Sequence, residues 1–185
     1  TTGPFNTIGN QPIVNIGTNF GVASDPQTVP TAYFGSGEGS YTNELTSCAV
    51  TIDHTQMTCT MAAGSGKDYQ VQVNVSDQRS VASSGTPFRY FKPGIDVVSV
   101  VGVDSVMKTN GESSILINGS NFGPECTGCV DATYSSGTNS YATTCNVVGD
   151  THNVLLCSTK AGVGKDHAWV VTRSNQLSNA SSGAD

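Results

Sequence analysis

The chain has 185 residues, a formal net charge of −6 and only 8 Lys and Arg side chains. This composition disfavours nucleic-acid binding, which needs a stripe of cations against the phosphates. No apolar run approaches the length that spans a membrane. The length itself fits two small domains, each with a modest core.

A stretch near the start of the chain occurs again about a hundred residues later. The first copy runs from Thr7 to Gly21 and the second from Thr109 to Gly123, and the two align without a gap. Each copy holds a short apolar run between glycine-rich turns, which is typical of a buried strand. Because a repeated strand with both its turns indicates a repeated domain, we expect one domain over residues 1–92 and a second over 93–185.

Further along each copy, apolar and polar residues alternate. The segment Tyr69–Val75 alternates throughout, and its counterpart in the second copy is His167–Thr172. Alternation of this kind indicates a half-buried strand, and short strands separated by Gly and Asn turns indicate a β-sandwich. No segment has helical periodicity. The sequence therefore predicts an all-β fold of two tandem sandwiches.

Six cysteines indicate disulfides and an oxidising, extracellular compartment. In each copy one pair flanks the same segment, so we expect each pair to bond within its own copy: Cys48 with Cys59, and Cys145 with Cys157. Cys126 and Cys129 remain, and a disulfide, a zinc site and a redox motif are the alternatives for them. Zinc needs four ligands, and a redox motif normally opens a helix, so we predict a third disulfide.

The order of these features resembles a known family. An apolar strand, Gly-Ser-Asn-Phe-Gly, a cysteine pair, a Gly-x-Gly turn and an alternating strand follow one another, and Phe88–Ile95 runs through Pro93 like a join between two domains. This resembles the IPT/TIG domain, an immunoglobulin-like fold of plexin-type receptors, adhesins and some transcription factors. The resemblance implies two tandem immunoglobulin-like domains. It carries over no catalytic residues, and the basic loops of the DNA-binding members are missing.

The histidines and carboxylates do not form a catalytic or metal-binding pattern. His54 and His152 are repeat equivalents that lie near Asp53 and Asp150, but no nucleophile or metal-ligand spacing accompanies them. The carboxylates lack the spacing of a calcium loop. We therefore expect no catalytic residues, no metal and no cofactor, and we interpret the histidines as solvent or hairpin residues.

Three Asn-x-Ser motifs are candidates for N-glycosylation, beginning at Asn74, Asn118 and Asn179. Chance occurrence is the alternative interpretation, because Asn, Ser and Thr are abundant. Glycans are also candidate binding partners for a chain of this class.

The two copies differ at their ends. The first continues past Gly85 into Thr86–Phe91, its last strand, whereas the second reaches the corresponding Gly183 and ends at Asp185. We therefore predict that the second domain lacks its own last strand, which leaves an acceptor slot against Trp169 and Val171.

The N-terminal segment, about residues 1–8, is the predicted donor for this slot. Thr2-Gly3-Pro4-Phe5 resembles the start of the last strand in the complete copy, so the expected donor residues are Pro4, Phe5, Thr7 and Ile8. Head-to-tail strand exchange of this kind propagates into filaments. The sequence thus predicts a non-enzymatic extracellular fibril protomer whose partner is a second copy of itself. The alternative is a fragment of a longer tandem-domain adhesin or receptor ectodomain that binds a protein or glycan.

Overall fold

The computed structural model describes residues 3–25, 29–37, 39–102 and 106–182. The chain divides into two compact units, Thr1–Tyr90 and Phe91–Asp185. Every regular element in the described ranges is a β-strand, as the sequence predicts. In this part of the chain no helix is present that could cross a membrane.

Among its described residues the first unit has eight strands, named here in chain order. They are β1 (Pro4–Phe5), β2 (Pro12–Ile16), β3 (Thr31–Gly35), β4 (Asn43–Ile52), β5 (Gln56–Thr60), β6 (Gln70–Val75), β7 (Gln78–Arg79) and β8 (Arg89–Tyr90). Hydrogen-bonded neighbours follow the order β2-β5-β4-β3-β6-β7, and β1 pairs with β8 in a separate parallel pair. The pairings within the larger sheet are antiparallel.

The long strand β4 belongs to both layers of this sandwich. Its first residues, Asn43–Leu45, pair with β3, and the part from Thr46 onward pairs with β5. The register shifts between Thr46 and Ala49, which is a β-bulge. Because a bulge bends and twists its strand, β4 can pass from one layer to the other.

Seven strands are present in the part of the second unit that the structure describes. They are β9 (Gly94–Val100), β10 (Ser114–Ser120), β11 (Cys126–Ser136), β12 (Asn139–Val147), β13 (Val154–Ser158), β14 (Ala168–Arg173) and β15 (Gln176–Leu177). Their order is β15-β14-β11-β12-β13-β10-β9. Strands β10 to β15 repeat the order of β2 to β7, so the duplication seen in the sequence is a duplication of the fold.

Each unit has its own apolar core, built from the inward residues of its strands. In the first unit the core includes Ile13, Phe34, Leu45, Met57 and Tyr90. In the second it includes Ile115, Phe122, Tyr134, Leu155 and Trp169. The alternation of buried and partly buried residues in β6 and β14 is that of strands with one face on a core. The predicted pair of immunoglobulin-like sandwiches is confirmed.

The structure contains the three expected disulfides, Cys48–Cys59, Cys145–Cys157 and Cys126–Cys129. Each of the first two joins neighbouring antiparallel strands within its own unit, and their Cα atoms are 4.0 and 4.2 Å apart. The third closes a short loop at the start of β11.

Candidate functional site

The last strand of the first unit is joined by one antiparallel bridge to Tyr69, the residue before β6. Tyr69 and Phe88 exchange backbone hydrogen bonds of 3.0 and 2.9 Å, and the Tyr90 amide donates to the Gly66 carbonyl. On its other side β8 pairs with β1, with Pro4 opposite Arg89. The strand therefore places two aromatic side chains, two residues apart, on the core face of the sandwich.

These two aromatic side chains fill separate places. Phe88 packs against Phe5, Phe34 and Tyr69, with ring centroids 5.5, 5.4 and 5.6 Å away. The Tyr90 ring covers Gly64, where an added Cβ would lie 2.7 Å from the ring. Its hydroxyl donates to the Ala62 carbonyl at 2.9 Å.

The second unit has the same surroundings built from different residues. Tyr134 stands where Phe34 does, because Phe34 lies opposite Val71 and Tyr134 opposite the corresponding Trp169. By the repeat alignment His167 corresponds to Tyr69, and Gly162 to Gly64. The place of the Tyr90 ring is taken by Tyr141, whose ring would lie 2.5 Å from a Cβ on Gly162.

Tyr141 reaches this place from a different strand. It lies on β12 opposite Tyr134, at the position that Asn43 holds opposite Phe34 in the first unit. Its hydroxyl donates to the Val163 carbonyl at 3.0 Å and accepts from the Val163 amide at 2.9 Å. An aromatic residue of the hairpin thus occupies, in the second unit, the place that the last strand fills in the first.

A stack of three rings supports Tyr141. Tyr134 lies between the other two, 5.2 Å from Tyr141 and 4.4 Å from Trp169 between ring centroids. The Tyr134 hydroxyl donates to the Lys160 carbonyl and accepts from the Lys160 amide. Burial raises the pKa of Tyr134, and the hydrogen bond to Lys160 opposes this shift. The Tyr134 side chain is therefore kept neutral, with its ring stacked on both faces and its hydroxyl hydrogen-bonded.

A cavity of about 30 Å³ opens beside this stack. We call it the slot, and its walls include Met107, Tyr134, Tyr141, Thr159, Gly162 and His167. His167 is 3% exposed, and its Nδ1 has no hydrogen-bond partner among the described residues. By the repeat alignment Met107 corresponds to Phe5, so the slot lies where Phe88 packs in the first unit.

The predicted acceptor position at Trp169 and Val171 is already covered. Both residues are fully buried, and β11 lies along one edge of their strand. On the other edge the Ser178 and Ser181 amides donate to the carbonyls of these residues, while the serine hydroxyls accept from their amides. The slot therefore lies farther along, beside His167.

The same serine bonds recur in the first unit. Ser80 and Ser83 bond both ways to Val73 and Val71 through their backbone amides and their hydroxyls. Our sequence reasoning missed this role, although the signal was present as serines at equal spacing in both copies. A serine hydroxyl that accepts a hydrogen bond from a strand amide closes the edge of that strand in place of a backbone carbonyl.

The predicted donor residues lie within the first unit in the described structure. Phe5 is 3% exposed and belongs to that unit's core, and Thr7 is also buried. The Thr7 carbonyl accepts from the Gly64 amide at 2.8 Å. Pro4 pairs with β8, and only Ile8 is exposed, at 48%. Donation to another copy therefore requires Phe5 and Thr7 to leave their own core.

The remaining candidates from the sequence are the asparagines of the three Asn-x-Ser motifs and the three histidines. Asn74 and Asn118 are partly buried within β6 and β10, whereas Asn179 is exposed and accepts a hydrogen bond from Lys92. His54 is exposed, and His152 is buried but lies in the connection between β12 and β13, so the interpretation as solvent or hairpin residues holds for these two. His167 is buried at the start of β14, so the interpretation is wrong for it. Among the described residues no group of acidic, Cys and His side chains could hold a metal.

A family model bears on the first unit. The model of the IPT/TIG domain matches residues 2–90. The first unit belongs to the IPT/TIG family. The second unit repeats the strand order of this IPT/TIG domain, so the predicted resemblance is confirmed.

Comparison with known proteins adds little beyond the family. A search of curated proteins found no match. Among solved structures, the chain is similar to "SGBP-B from a complex xyloglucan utilization locus in Bacteroides uniformis", with 17% sequence identity and a TM-score of 0.34. The likeness covers 97% of this chain but 46% of that one, so the chain spans about half of the length of its neighbour.

Proposed function

We propose that the chain is a non-catalytic structural protomer of an extracellular fibril. In this proposal the second unit of one copy takes a strand from the N-terminal segment of another copy. One observation carries the proposal. Tyr141 covers Gly162 from the hairpin, whereas Tyr90 of the last strand covers the corresponding Gly64. The second unit thus has an aromatic slot where the first has its own Phe88.

Two features support an extracellular, structural role. Three disulfides staple the sandwiches, and disulfides of this kind persist in oxidising compartments. The slot is lined by the rings of Tyr134, Tyr141 and His167 and by Met107, together with threonine and lysine residues. A strand laid beside His167 would add backbone hydrogen bonds to those side-chain contacts. Such a contact joins the N-terminal segment of one copy to the second unit of another, so it propagates head to tail.

The exchange has a cost that the structure makes specific. Removing Phe5 from the first core forfeits about 3–5 kcal/mol, and burying the same ring in the slot returns roughly 1.5–3 kcal/mol. Assembly would then depend on the strand hydrogen bonds and on protein concentration. It would also be slow, because the segment must leave one core before it enters the next.

A second candidate is favoured by the position of the N-terminal segment. Because Pro4 and Phe5 pair with β8 inside the first unit, the same observations fit a tandem-domain surface protein. In that case the slot belongs to a longer array, and a protein or a glycan binds elsewhere on the chain.

A tethered strand separates the two functions. A copy of residues 1–8 is appended after Asp185 through a flexible linker, which leaves the first unit intact. The fibril proposal expects the parent chain to sediment as polymer and to show filaments by electron microscopy, and the tethered variant to be monomeric. The control tether carries Ser in place of Phe5 and should still polymerise. A parent chain that stays monomeric at every concentration would favour the tandem-domain protein instead.

A further inference from the structure

The slot in the second unit differs from the corresponding place in the first unit, because one of its two positions for an aromatic ring is already filled. In the first unit the last strand supplies two rings, Phe88 beside Phe34 and Tyr90 over Gly64. In the second unit the place over Gly162 already holds the Tyr141 ring. A strand entering the second unit therefore finds the second of these two places filled. The first, beside Tyr134 and His167, holds the cavity of about 30 Å³, which must widen to admit a ring.

We propose that Tyr141 determines which strand the slot accepts: an extended segment with one aromatic residue followed two positions later by a small residue. This pattern occurs at Phe5 and Thr7, where side chains two apart point to the same face. It does not occur at Phe88 and Tyr90, whose second ring would need the space that Tyr141 fills. The inference rests on the proposed function for the identity of the site, but it concerns the selection of the strand.

The contacts of Tyr141 make it a fixed wall of the slot. Its hydroxyl is hydrogen-bonded in both directions to the Val163 backbone, and its ring stacks on Tyr134. Displacing the ring would break both bonds and the stack. A second large residue in the incoming strand must either do this or remain outside.

The chain supplies its own reference for the opposite preference. In the first unit the residue opposite Phe34 is Asn43, whose side chain donates to the Phe34 carbonyl and leaves Gly64 to Tyr90. Substituting Tyr141→Asn would give the second unit the arrangement of the first. The slot should then gain room for a second ring.

The test uses two peptides and the full chain. One peptide has the sequence of residues 2–9, and the other is identical except for Thr7→Tyr. Binding is followed by the fluorescence of Trp169, the single tryptophan, which stacks on Tyr134. We expect the parent chain to bind the first peptide roughly tenfold more tightly than the second. The second peptide can enter only if Tyr141 loses its ring stack and its hydrogen bonding to Val163. In Tyr141→Asn the preference should reverse.

Two controls accompany this test. Tyr141→Phe keeps the ring, so it should keep the parent preference even if Tyr141→Asn folds poorly. Sedimentation of the same samples records polymer separately from peptide binding. If both peptides bind but the preference is the same in all variants, the role of Tyr141 is wrong while the slot stands. If neither peptide binds to any folded variant, the proposed strand acceptance fails and this inference fails with it.

Discussion

Single aromatic residues decide how each sandwich is completed. Phe5, Phe88 and Tyr90 form part of the first core, whereas in the second unit Met107, Tyr134 and Tyr141 surround the corresponding space. Substitutions at these positions should therefore have unequal effects in the two units, although the surrounding strands are repeated.

Replacing Phe5→Ala should destabilise the first unit by about 3–5 kcal/mol, because the ring is buried against Phe88. Ile8→Ala is the matched control. It removes an apolar side chain from the same segment, but Ile8 is half exposed, so the expected change is within about 1 kcal/mol. Urea unfolding, at concentrations where the samples are monomeric, measures both. Equal losses would mean that the segment does not hold Phe5 in the core.

The two repeat-equivalent glycines give a second comparison. Gly64→Ala would push a methyl group into the ring of Tyr90, which is fully buried and anchored to Ala62. We expect a loss of about 1–3 kcal/mol, typical of overpacking.

Gly162→Ala would push a methyl group into the ring of Tyr141, which two hydrogen bonds to Val163 and the stack on Tyr134 hold in place. We expect a similar loss of about 1–3 kcal/mol. Thermal unfolding of the two variants checks both values, and a loss below about 1 kcal/mol for Gly162→Ala would show that Tyr141 moves aside.

Tyr90 should also make the first unit sensitive to alkali. Burial, reinforced by the nearby Tyr69, raises the pKa of Tyr90 above its ordinary value of 10.0. Because the raised pKa belongs to the folded state, its contribution to stability is complete below pH 10 and is lost as the pH rises above that value. The melting temperature should fall above pH 10 in the parent chain and fall less steeply in Tyr90→Phe.

At the scale of elements, most of the fold can be predicted from the internal repeat. The duplicated strand at Ile13 and Ile115, the alternation in β6 and β14, and the cysteine positions all follow from local patterning, which sequence shows directly. The position of the slot does not follow from local patterning, because it depends on where the edge of a strand is closed. Ser178 and Ser181 close that edge with their amides and hydroxyls. Their spacing repeats that of Ser80 and Ser83, but in a hydroxyl-rich chain the spacing alone does not show that they bond to the strand.

Tyr141 was missed for a related reason. Its role depends on the pairing of β11 with β12, in which it lies opposite Tyr134. In the sequence, Ser40-Tyr41 and Ser140-Tyr141 look equivalent, but the connection before β4 is longer than the one before β12. Strand pairing shows that Asn43, and not Tyr41, is the structural counterpart of Tyr141.

The disulfides should contribute unequally. Cys48–Cys59 closes a loop with a sequence separation of 11, and Cys59 lies in the core. Replacing both with Ser should cost about 3 kcal/mol.

Cys126–Cys129 closes a separation of 3 between partly buried residues. The same double substitution there should cost about 2 kcal/mol or less. Denaturant midpoints under non-reducing conditions measure both, and the reverse ranking would contradict the loop-entropy argument.

At the scale of the whole molecule, the proposed fibril should respond slowly to dilution. Each contact between copies would end only when residues 4–8 leave the slot, and Phe5 and Thr7 have a second buried position in their own first unit. We expect the sedimenting mass to decrease with dilution over a time much longer than mixing. A polymer that dissociates at once, or one that is independent of concentration, would contradict the exchange of this segment.

The parallel pairing of β1 with β8 also has a mechanical consequence. A pulling force applied to the first unit enters through β1 and leaves through β8, so it acts along the two strands in opposite directions and shears their bonds together. Once they yield, the chain between Cys48 and Cys59 still cannot extend, since the disulfide spans a separation of 11. Fully stretched, the oxidised unit should be about 35 Å shorter than the reduced one.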